Sequence, residues 1–219
     1  MALILPKSMF LHIPKTGGIW VRNAIKRANI DAFEYGEQHS HFNELLKYRD
    51  EQFYKNKLIF TFIRHPLSWY QSRWAFRVKH GWSMRHPLDF NCASNNFCQF
   101  VENCIEYKPE GWVSWLYQSF IDKAPKDVFV GKQENLAGDL VNALHNAGEA
   151  FDEQLILGAS RANVSDMHGK SSKDMAVYTV DLIDKVLDSE KTIIDKYYSD
   201  INPSSLYQQY SLEYSDVSI

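Results

Sequence analysis

The run Leu58-Ile59-Phe60-Thr61-Phe62-Ile63 shows no alternation of polar and apolar side chains apart from Thr61. A strand with water on one face would show a period of two, so this segment needs both faces covered. That condition is met inside a sheet with helices packed on either side, which sets the class as α/β. A second apolar run, Met9-Phe10-Leu11-His12-Ile13, is closed by Pro14 and by the Gly17-Gly18 pair. Ile19, Val21, Ala24, Ile25 and Ala28 then recur at helical spacing, so the segment reads as strand, tight loop, helix. Asp127–Gly131 is a third candidate strand, followed by a helix from about Asn135 to Asn146 that Gly148 ends. Strands alternating with helices predict a single domain over 1–219, with a mostly parallel central sheet flanked by helices.

Composition supports a folded domain. The 219 residues include 13 Phe, 12 Tyr and 6 Trp, enough to fill a core. No stretch approaches the ~18 uncharged apolar residues of a membrane span. The opening MALILPKSMF turns polar too soon for a secretory signal. Cys92, Cys98 and Cys104 form no CxxC pair, which speaks against both a disulfide framework and a zinc site. The expectation is a soluble, reduced, cytoplasmic protein with no membrane partner. Charge is unevenly spread. Residues 1–86 hold 14 Lys/Arg against 6 Asp/Glu, and residues 87–219 hold 10 against 21. A basic amino-terminal part on an acidic chain suggests a localised anion site rather than a nucleic-acid surface.

Two segments carry the chemistry. In His12-Ile13-Pro14-Lys15-Thr16-Gly17-Gly18, the glycines let backbone N–H groups approach an anion. The following helix N-terminus favours negative charge, while Lys15 and Thr16 add a cation and a hydroxyl. The pattern differs from the nucleotide-triphosphatase loop, in which the lysine follows the glycines. A plain strand-to-helix turn containing Gly-Gly is the alternative. In the second segment, Arg64 ends the Leu58–Ile63 strand and Ser72 falls about two turns into the next helix, which Pro66 opens. A guanidinium fork with a nearby hydroxyl suits a phosphate monoester. The alternative is an arginine paired with a carboxylate and a serine facing water.

Taken together, these segments resemble the sulfotransferases that use 3′-phosphoadenosine 5′-phosphosulfate (PAPS). HIPKTGG is similar to their 5′-phosphosulfate loop, and Arg64 with Ser72 to their 3′-phosphate motif. The histidine-initiated loop is nearest in style to the carbohydrate enzymes of the heparan 2-O-sulfotransferase type. Trp20 instead resembles the tryptophan that stacks on adenine in the cytosolic enzymes. The resemblance implies a P-loop-like fold and transfer of a sulfuryl group to an acceptor hydroxyl or amine. It implies donor contacts from Pro14, Lys15, Thr16, Gly17, Gly18, Ile19, Trp20, Arg64 and Ser72, with Lys15 stabilising the leaving phosphate. It implies neither a metal nor a covalent intermediate. Where both branches carry hydroxyl residues after the loop, this chain has Gly18 and Ile19.

Gln38-His39-Ser40-His41 lies where the 2-O type has the His-x-His segment supplying its base, so His41, or else His39, is the candidate proton acceptor. Both could equally be surface residues. Lys170 and Ser171 resemble part of the late loop over the nucleotide. The aromatic-rich 80–125 region could line an acceptor site, though aromatic residues at helical spacing also build cores. The acceptor, a glycan or small molecule, and the oligomeric state are not written in the motifs. A nucleotide-binding module without turnover, or a small-molecule kinase, are the competing classes.

Overall fold

The computed structural model describes residues 2–37, 39, 41–46, 52–122, 124, 127–159 and 175–211. In chain order the elements are β1 (Ala2–Ile4), β2 (Ser8–Leu11), α1 (Gly18–Arg27), β3 (Phe33–Tyr35), α2 (Phe42–Leu46), α3 (Gln52–Lys55) and β4 (Leu58–Ile63). Then come α4 (Pro66–His80), α5 (Pro87–Cys92), α6 (Phe97–Tyr107), α7 (Trp112–Ile121) and β5 (Val128–Lys132). A single 3-10 turn, Gln133–Asn135, leads into α8 (Leu136–Ala147) and α9 (Glu153–Leu157). The chain continues with α10 (Val180–Ser189), α11 (Lys191–Tyr197) and α12 (Pro203–Tyr210). Two compact units are formed, one of Met1–Arg64 with Tyr117–Val164, the other of His65–Leu116 with Ser165–Ile219.

The first unit holds the sheet, in the order β3-β1-β2-β4-β5. β2 pairs parallel with β4, and β4 with β5, whereas β1 runs antiparallel to both β2 and β3. The protein is α/β as expected, but its sheet is mixed rather than mostly parallel. The reason is local. Only Leu5-Pro6-Lys7 separates β1 from β2, too short a link for a crossover, so the pair must be antiparallel. β4 is buried along nearly its whole length, as its unbroken apolar run requires. Phe10, Phe60 and Phe62 of the sheet pack with Trp20, Val21, Ala24 and Ile25 of α1 and with Leu140, Val141 and Leu144 of α8.

The second unit is helical, with α4, α6 and α10 mutually packed. Trp69, Tyr70, Trp74 and Phe100 are fully buried in it. At its centre the Glu190 carboxylate accepts hydrogen bonds from Tyr70 (2.7 Å) and from the backbone N–H groups of Val113 (2.9 Å) and Ser114 (2.7 Å). Among the described residues, no helix is long and apolar enough to cross a membrane.

Candidate anion-binding site

β2 and β4 are parallel neighbours, with Leu11 opposite Thr61, so their carboxyl ends lie at one edge of the sheet. The chain leaves β2 into His12–Gly17 and leaves β4 at Arg64. The carboxyl edge of parallel strands is where α/β sheets bind ligands.

Within the loop, Lys15 (φ 68°) and Gly17 (φ 90°) adopt left-handed conformations. Alternation of hand along the backbone turns successive N–H groups toward one concavity, an arrangement suited to anions. Gly17 is the N-cap of α1, and its carbonyl accepts from Val21 N–H at 3.2 Å. A side chain at 17 would be strained by its φ, and its Cβ would come within 2.7 Å of Leu136 at the start of α8. Gly18, the first residue of α1, is closed off differently: a Cβ there would overlap the imidazole of His12, 2.6 Å even from Cγ. Thr16 is fully buried and its hydroxyl donates to the Ile13 carbonyl at 2.8 Å. Its proton therefore closes the turn, and the backbone of 16–18 is what the loop offers to a ligand. Pro14 and Lys15 are half-buried.

Arg64 is fixed through its main chain. The hydroxyl of the fully buried Tyr117 accepts from Arg64 N–H (3.0 Å) and donates to Arg64 C=O (2.9 Å). This sets the exit of β4 while leaving the Arg64 residue half-buried. Ser72 belongs to the second unit, half-buried on α4. Trp20 is 6% exposed and part of the α1 core face, so its indole is a packing residue, whereas Ile19 beside it is 59% exposed. α1 turns Trp20, Val21, Ala24 and Ile25 inward as one stripe. Lys170 and Ser171 lie outside the described residues.

The histidines divide. The His12 ring, 7% exposed, stacks on Phe10 (5.9 Å between centroids) and meets His39 edge-on at 4.7 Å. Burial, then the neighbouring charges of His39 and Arg22, push its pKa down to about 3, so it is neutral at physiological pH. His39, itself left-handed at φ 63°, places Nδ1 3.2 Å from the His12 carbonyl oxygen. His41 places Nδ1 3.1 Å from the Ser119 carbonyl and rests its ring on Phe120 at 4.2 Å. A carbonyl only accepts, so both rings carry their proton on Nδ1 and, when neutral, a lone pair on Nε2. Of the two, His39 is joined to the loop through His12, while His41 is anchored on α7.

Three residues that shape the loop and the exit of β4 have roles that local sequence does not show. His12 was visible only as part of a motif, because nothing in its spacing says its ring lies on Gly18. Tyr117 is 53 residues from Arg64. Leu136 packs on Gly17 only once β5 is in register beside β4. Comparison with family models, with curated proteins and with solved structures finds no match.

Proposed function

We propose that this protein is a PAPS-dependent sulfotransferase acting on an acceptor hydroxyl. The observation that carries the reading is the pairing at one sheet edge of the β2–α1 loop, Lys15 to Gly18, with Arg64 at the end of the adjacent parallel strand. Two anionic groups of one nucleotide, a 5′-phosphosulfate and a 3′-phosphate, match a backbone cradle with a lysine and a separate guanidinium.

In-line transfer moves charge onto the leaving phosphate oxygen, so catalysis rests on positioned donors and cations. Lys15 supplies the cation at that oxygen, and the N–H groups of Thr16, Gly17 and Gly18 hold the phosphate. Arg64 takes the 3′-phosphate with its planar fork. Nε2 of His39 takes the acceptor proton; its support is the link through His12 to Gly18, which His41 lacks. A neutral imidazole with its lone pair on Nε2 is suited to that step near neutral pH.

The test is consumption of PAPS with a panel of hydroxyl acceptors, alongside thermal shifts with 3′-phosphoadenosine 5′-phosphate and with ATP and magnesium. Acceptor-dependent release of 3′-phosphoadenosine 5′-phosphate supports the reading. Stabilisation without turnover would make the protein a binding module instead, and stabilisation by ATP-magnesium alone would make it a kinase.

A further inference from the structure

Residue 18 opens α1, and its N–H belongs to the first helical turn, where backbone donors have no partner within the helix. Having no side chain, Gly18 contributes only that N–H. The space beside it is filled all the same. A Cβ built on Gly18 would overlap Cδ2 and Nε2 of His12, so that edge of the imidazole stands where a residue-18 side chain would be. The ring is held there by Phe10 on one side and His39 on another. Among the described residues, no hydrogen bond engages either of its nitrogens.

We propose that the Nε2–H of His12 is the side-chain hydrogen-bond donor of this loop, replacing the side chain that residue 18 lacks, for a phosphate-type anion bound at the start of α1. The inference rests on the site assignment above and assigns His12 to binding rather than to proton transfer. Burial keeps the ring uncharged, so His12 offers one directed N–H and leaves the positive charge to Lys15. The arrangement accounts for glycine at 18. The ring and a side chain at that position are alternatives for one volume, and this chain has the ring.

Four variants test the exchange: His12→Phe, which fills the same space without a donor; His12→Ala; Gly18→Ser; and His12→Ala with Gly18→Ser. Calorimetric titration with inorganic pyrophosphate and, separately, with 3′-phosphoadenosine 5′-phosphate reads each one. Losing one hydrogen bond to a charged group weakens binding by about tenfold or more in His12→Phe, with an unchanged circular dichroism spectrum. Gly18→Ser alone also weakens binding, because its side chain meets the ring. The double variant recovers to within about threefold of wild type, since the serine hydroxyl enters the vacated space. In 15N-histidine spectra of the wild type, an Nε2–H signal from His12 shifts on adding pyrophosphate.

Wild-type affinity in His12→Phe, a gain in Gly18→Ser alone, or a His12 ring protonated only on Nδ1 would each overturn the proposal. Binding of pyrophosphate but not of the nucleotide removes the sulfotransferase reading, and the pyrophosphate series then still decides the role of His12. If the wild type binds neither, both fall.

Discussion

Lys15 stands in the left-handed region, where a side chain is uncommon and costs roughly 1 kcal/mol or more of backbone energy. The ammonium of Lys15 is therefore carried on a strained backbone position beside the loop's N–H groups. Lys15→Ala keeps the same backbone cost and removes only the cation, so it should lower turnover by about 100-fold or more while shifting Tm little. A variant with undiminished turnover would take Lys15 out of the mechanism. His12 has a consequence for stability as well. Its pKa in the folded protein is about 3 against an ordinary 6.5. The unfolded chain therefore binds a proton that the folded one refuses. The resulting stability is fully present above pH 6.5 and is lost as pH falls toward 3, at up to about 1.4 kcal/mol per unit. Urea midpoints between pH 7 and 4 should fall less steeply in His12→Phe than in wild type; parallel slopes would contradict the burial argument. The geometry of the loop was legible where it follows from sequence neighbours, as at the Gly17-Gly18 pair between β2 and α1. At Trp20 two sequence patterns compete, the helical stripe that buries it and the spacing from Lys15 that resembles a stacking position.

Among the elements, α7 shows how distant residues define a helix end. Its first N–H groups, at Val113 and Ser114, are met by the carboxylate of Glu190, between α10 and α11, instead of a local cap. Burial raises the pKa of Glu190 above its usual value even though Tyr70, Val113 and Ser114 all favour the ionised form. Glu190→Ala would strand three buried donors and should cost about 3–5 kcal/mol, measured by urea denaturation. Glu190→Gln should cost less, and its penalty should shrink as pH rises. The sign follows from a folded pKa above the unfolded one: the wild type loses stability as pH climbs through that window, and glutamine does not titrate. A penalty that grew with pH would refute this. No local pattern announces such a cap, because Glu190 and Val113 are 77 residues apart. The elements with strong local signals, β2, α1, β4, α4, β5 and α8, were readable with ends moved by a residue or two. β1 and β3 were not, being three residues each, and β3 is largely exposed. Missing β1 is what made the sheet look mostly parallel.

On the scale of the whole molecule, the charge distribution bears on which nucleotide the protein prefers. Residues 52–88 contain seven Lys/Arg and no Asp or Glu, on a chain whose net charge is −3. Part of that excess is neutralised internally: Asp89 takes both Arg73 and Arg77, each at about 2.5 Å. Arg64 lies in the same basic stretch, at the exit of β4. A 3′-phosphate adds close to two negative charges to an adenosine 5′-phosphate. Two or three charge-assisted hydrogen bonds, less desolvation, should give at least about a tenfold preference for 3′-phosphoadenosine 5′-phosphate over adenosine 5′-phosphate. Long-range charge–charge attraction is screened beyond about 8 Å at 0.15 M salt, whereas contacts of the half-buried Arg64 are screened less. The preference should therefore narrow, without vanishing, between 0.05 and about 0.5 M sodium chloride. Arg64→Ala should erase most of it at every salt concentration. Arg64→Lys should restore the salt-dependent part alone, because it returns the charge without the planar fork. Calorimetry with both nucleotides at two salt concentrations separates these contributions. Equal affinity of the wild type for the two nucleotides would remove the 3′-phosphate from the site, and with it the case for PAPS as donor.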